Sequence, residues 1–168
     1  MFYYLAIGTN ISAEQNAVAI IRKLIESFGR LYVFPYIVTQ PENMQTANYF
    51  LNSVVIISTT LDSNTIKSYL NDIEHALGRD RNDPDRSNKD RSADIDILDH
   101  GRDVVTQDAH PLAEERFIQD VLAYTGKMID LSEYGLPFSE RAATVDLDKA
   151  TGNLVIIDNT IDSFVNGH

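Results

Sequence analysis

Two stretches of this chain repeat their apolar residues at helical spacing, and each is fenced by runs with β character. In the first, Ala17, Ile20, Ile21, Leu24 and Phe28 recur on one face and Gly29 offers a stop. Ser12 opens it, with Gln15 three residues on in capping-box position. In the second, Ile66, Leu70, Ile73 and Leu77 form the stripe, Asp62 or Ser63 caps the start, and Gly78 ends it. The β runs are Tyr3 to Ile7, Leu31 to Val38 (broken by Pro35, hence an edge or a bulge), Tyr49 to Thr59 and Ser92 to Leu98. Gln40 to Ala47 reads as a polar loop. Beyond these, Phe117 to Tyr124 reads as a helix with Glu114 and Glu115 in its first turn. Thr144 to Asp148 and Asn153 to Ile157 flank KATG as a hairpin. The order β-α-β-β-α-loop-β, then helix and hairpin, predicts an α+β fold, a ferredoxin-like sandwich with a mostly antiparallel sheet and two helices on one face.

At 168 residues the chain suits a single domain, 1–168, with a C-terminal extension at about 126–168. It has no cysteine, which removes disulfides, thiolate metal sites and a cysteine nucleophile, and fits a reducing compartment. The N-terminal segment has no basic stretch followed by an apolar run of signal length, and no apolar stretch approaches the roughly 20 residues that span a bilayer. A cytoplasmic monomer is the expectation. The net charge of −11 repels nucleic acid and anionic membranes, so neither is an expected partner. A small anion can still bind where arginines cluster.

Such a cluster exists. Arg79 to Asp90, RDRNDPDRSNKD, has no apolar residue but Pro84 and cannot pack, so it reads as a mobile loop of the kind that carries function. Arg79, Arg81, Arg86, Lys89 and Arg91 crowd in and beside it, in a chain with 14 basic residues. Arginine matches phosphate geometry in bidentate fashion. Asp80, Asp83, Asp85 and Asp90 are interleaved, so a solvated loop of cancelling charge is the competing reading. Directly after it comes RSADIDIL. In a strand Asp94 and Asp96 share one face, about 6.5–7 Å apart, while Ile95 and Ile97 face the core. Taken alone, the pair fits a solvent-facing strand side. Beside basic residues in a loop that can close, it fits a seat for magnesium against the phosphates of a nucleotide.

Several separated segments, in order, resemble the 6-hydroxymethyl-7,8-dihydropterin pyrophosphokinase family. They are AIGTN near the start, VTQP at Val38 to Pro41, YFLNSVV at Tyr49 to Val55, IEHALGRDR at Ile73 to Arg81, RSADIDIL, and HPLAEERF at His110 to Phe117. The resemblance spans roughly residues 3 to 122. It implies transfer of pyrophosphate from ATP to the hydroxymethyl group of a dihydropterin, in folate biosynthesis, with release of AMP. Asp94 and Asp96 would bind two Mg²⁺ ions bridging the ATP phosphates. Arg79 and Arg91 would contact the transferring phosphates, and Arg81 and Arg116 would add contacts. His110 would touch the phosphate or ribose region, with Glu74 and Ile97 near the nucleotide. Thr39, Gln40 and Asn52 would read the pterin edge, and Phe50 and Phe117 would sandwich the ring. A flat, polar-edged ring needs such faces and amide groups. The phenylalanines also fit an ordinary core, whereas Asn52 in an apolar strand needs a polar partner.

The chain departs from the family pattern at Asp90, where a proline is usual, in a lid (about 79–90) rich in aspartate and without an aromatic residue, and at Asp99 and His100. A pyrophosphokinase for another pterin-like alcohol and a non-catalytic pterin- or nucleotide-binding homologue therefore stay open beside the leading reading.

Overall fold

The computed structural model describes residues 1–41, 44–104 and 116–167. The elements are β1 (Phe2–Thr9), α1 (Ala13–Phe28), β2 (Leu31–Val33), β3 (Ile37–Thr39), β4 (Phe50–Ser58), α2 (Ser63–Ala76) and β5 (Asp94–Gly101). They are followed by α3 (Arg116–Leu122), β6 (Lys127–Met128), β7 (Ala143–Leu147), β8 (Leu154–Asp158) and α4 (Ile161–Val165). The sheet runs β5-β1-β4-β2-β7-β8, and β3 pairs with β4 and β6. Every pairing among the described residues is antiparallel. With β4 between β1 and β2, these two strands point the same way and α1 bridges them, which is the split β-α-β of a ferredoxin-like sandwich.

Helices α1 and α2 cover one face through the stripes expected of them. Ile20, Ile21, Leu24, Ile66 and Leu70 are buried against Leu5, Ile7, Val55 and Ile57. Each such aliphatic side chain contributes about 1.5–3 kcal/mol when taken fully out of water. The second face is covered too, which the periodicity did not indicate. Ile118 and Val121 of α3 and Phe164 of α4 pack on Tyr4, Tyr32, Val54 and Ile56. Phe164 is fully buried, with its ring centroid 5.8 Å from that of Phe2 and 6.2 Å from that of Tyr32. Because both faces are dry, β1 and β4 read as unbroken apolar runs rather than alternating ones.

Local chemistry sets the element ends. Asp62 caps α2, its Oδ1 accepting the Thr65 N–H at 2.9 Å. The expected Ser12–Gln15 capping box does not form. Ser12 has φ 41 and makes no side-chain cap bond, whereas a capping side chain needs an extended backbone to reach the first turn. Pro35 splits the expected single strand into β2 and β3, and pairing with β4 slips by one residue across the break. β5 starts later than expected, at Asp94, and it runs further, to Gly101: Leu98 bulges out of register with β1 and pairing then resumes at Asp99. α3 ends at Leu122, before Tyr124 at φ 56. Glu114 and Glu115 lie outside the described residues. The expected hairpin is β7–β8, and β7 joins β2, so the C-terminal extension continues the same sheet.

Candidate active site

Sheet register assembles the site. Gly8 of β1 faces Asp94 on one side and Asn52 on the other, and Ala6 faces Asp96 and Val54. Thr39 faces Phe50 across β3 and β4. Cross-strand partners share a face, so Asp94, Asp96, Asn52, Phe50 and Thr39 all look out from the side covered by α3. Together with Gln40, Arg91 and Phe117 they line a cleft of about 610 Å³.

At one end of the cleft lie the charges. Asp94 is gripped by two arginines: Arg79 Nη1 donates to Oδ1 at 2.5 Å and Arg91 Nη1 to Oδ2 at 2.6 Å. Burial opposes the charge of Asp94, but Arg79 and Arg91 outweigh it and hold the carboxyl below the usual aspartate range. Asp96 is more exposed, and its carboxylate makes no hydrogen bond or ion pair among the described residues. Burial first, and then the charge of Asp94, push its carboxyl up, against the pull of Arg79, Arg81 and Arg91.

Glu74 stands behind this pair. It is fully buried on α2, and its Oε1 accepts from Arg79 Nη1 at 3.2 Å and from the Ile95 N–H at 2.7 Å. Its Oε2 accepts from Arg81 at 2.5 Å. A buried carboxylate bound by two guanidiniums and an amide holds the arginines in place. Glu74, Arg79 and Arg81 do not line the cleft; Glu74 bears on it from behind, through Arg79 and its bond to Asp94. Ile97 turns toward the α1/α2 core, as strand alternation requires. Arg116 is exposed at the start of α3 and does not line the cleft. His110 lies outside the described residues.

At the other end lies Asn52, 7% exposed, whose Nδ2 donates to Thr39 Oγ1 at 2.7 Å. That bond orients the amide and leaves its oxygen toward Gly8. A Cβ on Gly8 would stand 2.7 Å from Asn52 Oδ1, so the absent side chain is what lets the amide lie across β1. Phe50 and Phe117 both line the cleft and are only half-buried, which leaves part of each ring open to it. Gln40, exposed, completes this rim.

The sequence did not single out Leu98, Ile118 or Met44, which also line the cleft. Leu98 carried a signal, since it continues the alternation of Asp94 and Asp96. Met44 and Ile118 carried none. The loop 79–90 spends its aspartates locally. Asp80 and Asp83 accept the N–H groups of Asn82 and Asp85, Asp85 accepts from Asn88, and Lys89 pairs with Asp83 at 2.5 Å.

A cleft with two carboxylates and Arg91 at one end and aromatic rings and an amide at the other has the chemistry to take small anionic and ring-bearing molecules. The family model described as 7,8-dihydro-6-hydroxymethylpterin-pyrophosphokinase matches residues 4–125. Two curated proteins named 2-amino-4-hydroxy-6-hydroxymethyldihydropteridine pyrophosphokinase, from two strains of Porphyromonas gingivalis, are similar. Each is 29% identical over 99 residues, covering 58% of this chain and 67% of the relative. The chain belongs to this pyrophosphokinase family. It is a diphosphotransferase that moves pyrophosphate from ATP to hydroxymethyldihydropterin in folate biosynthesis. Among the described residues no helix is long and apolar enough to cross a membrane.

Proposed function

We propose that Asp94 and Asp96 seat magnesium against the ATP phosphates, that Arg79, Arg81 and Arg91 hold those phosphates, and that Asn52, Thr39, Gln40, Phe50 and Phe117 hold the pterin. The observation that carries this is the row Asn52–Gly8–Asp94. Two strand spacings separate its ends, about 10 Å. That is the span from the edge of a bicyclic ring, across its hydroxymethyl arm, to a phosphate chain.

The donor set fits a hard cation. No group of three or more His, Cys, Asp or Glu gathers among the described residues. Two carboxylates that leave most positions to phosphate oxygens and water are what magnesium favours. Asp96 is unpaired among the described residues, whereas Asp94 must release or share an arginine to take part. Bound Mg²⁺, two ions in this reading, would neutralise phosphate charge. Arg91 also keeps a buried Nε without a partner among the described residues, a donor suited to a phosphate oxygen.

In this reading the ring stacks between Phe50 and Phe117, and Asn52 fixes its edge. Its hydroxymethyl oxygen is thereby aimed across β1 toward the phosphates. That oxygen forms a bond to the β-phosphorus of ATP as the bond to the bridging oxygen breaks, and AMP leaves. Such transfers need alignment and charge neutralisation more than covalent help. No histidine lines the cleft among the described residues, so Asp94 and Asp96 are the carboxylates nearest the alcohol proton. The chain works as one domain, 1–168, whose loop 79–90 closes over ATP, as a monomer in the cytoplasm. Incubation with ATP, Mg²⁺ and 6-hydroxymethyl-7,8-dihydropterin, followed by phosphorus NMR, tests the chemistry. AMP and a pterin diphosphate should appear in equal amounts; ADP in place of AMP overturns it.

A further inference from the structure

We propose that Asp90 is a positioning residue that fastens the ring-side loop to the phosphate-side arginine, so that both halves of the cleft share one register. The inference rests on the reading that Arg91 holds phosphate. One Asp90 oxygen accepts from Asn10 Nδ2 at 2.8 Å, and the other from Asn48 Nδ2 at 2.6 Å. Asn48 belongs to the segment between β3 and β4, whose Gln40 and Met44 line the ring end of the cleft. Asn10 directly follows β1 and is 3% exposed. Its Oδ1 accepts the Arg91 N–H at 2.7 Å, and its own N–H donates to the Arg91 carbonyl at 3.0 Å. Asn10 therefore clamps the Arg91 backbone on both sides.

The clamp depends on which way the Asn10 amide faces. With Asp90 present, the NH2 group has a carboxylate and the carbonyl is left for Arg91. Without that acceptor a buried NH2 has no partner, and a flipped amide sets donor against donor at the Arg91 N–H. Arg91 is then free to drift, and with it the guanidinium that reaches Asp94 at 2.6 Å and the Ser87 carbonyl at 3.0 Å.

An exchange experiment tests this. Asp90→Ala removes the acceptor of both amides. Asn48→Asp alone sets two carboxylates together. In the double variant Asp90→Asn/Asn48→Asp, the new amide accepts from Asn10 and donates to the new carboxylate at position 48, so every bond returns. Asp90→Ala and Asn48→Asp should each lower kcat/KM for ATP about tenfold, as expected for a charge-assisted bond, and the double should recover to within about threefold of the parent. Asn48→Ala, at an exposed position, removes one bond without touching the core and should lower kcat/KM for ATP in the same direction. Single variants with unchanged ATP kinetics, a fall confined to the thermal midpoint, or a double variant no better than Asn48→Asp would overturn the proposal. Arg91→Ala separates the layers. If it is impaired while Asp90→Ala is not, only the positioning role falls; if neither is impaired, the phosphate reading falls as well.

Discussion

Replacing Gly8 by alanine probes the ring end of the cleft with a single methyl group. Gly8 is not among the glycines with positive φ, so its backbone accepts alanine and only the new atom matters. That Cβ would stand 2.7 Å from Asn52 Oδ1, while even a close C–H···O contact keeps about 3.3 Å. Asn52 must swing aside by about 0.6 Å or more, and its 2.7 Å bond to Thr39 then breaks or lengthens. A buried amide that loses its partner costs about 1–3 kcal/mol, a factor of about 5 to 150 in any equilibrium that depends on it. The KM for the pterin should rise within that range, with kcat/KM for the pterin falling in step. The KM for ATP should stay near its parent value, because Arg79, Arg91 and Asp94 do not touch the methyl. Steady-state kinetics with each substrate varied in turn would read both numbers. An unchanged pterin KM would refute the placement of Asn52, and an equal rise in the KM for ATP would refute the division of the cleft into two ends.

Other consequences follow from the same geometry. Glu74→Gln leaves Arg79 and Arg81 facing a neutral buried amide. It should destabilise the protein by about 3–5 kcal/mol in denaturant titration and raise the KM for ATP. Phe164→Ala opens the second core beneath Tyr32 and Phe2 and should cost about 3–5 kcal/mol, while the KM of each substrate in the folded fraction stays unchanged. Asp96→Ala should abolish Mg²⁺-dependent AMP formation with little loss of stability, since Asp96 carries no partner among the described residues. Turnover near the parent rate in that variant would remove it from the metal site.

The helical stripes of α1 and α2 were legible because each repeats over several turns, and the shared face of Asp94 and Asp96 followed from the two-residue period of a strand. Helix α4 was not legible: one turn with a single deep side chain, Phe164, has no periodicity to read. Neither was the role of Glu74. On the helical pattern it is a polar residue beside Ile73, and its burial comes from the packing of α2 on β5. The Leu98 bulge depends on pairing with β1, which no local pattern encodes. The aspartates of the loop 79–90 look repulsive to an anion as a sum of charges. In three dimensions most of them are turn acceptors, and Asp90 is tied to Asn10 and Asn48. Composition counts charges but does not say where their lone pairs go.

If Asp94 and Asp96 seat the metal that the phosphate donor needs, the ions held there can be counted directly. Manganese titration followed by electron paramagnetic resonance, with a non-hydrolysable ATP analogue and the pterin present, measures that seat without relying on turnover. The parent protein should bind two ions in the ternary complex. Asp96→Asn should lose at least one while still binding the pterin. Undiminished manganese binding in Asp96→Asn would remove Asp96 from the metal seat.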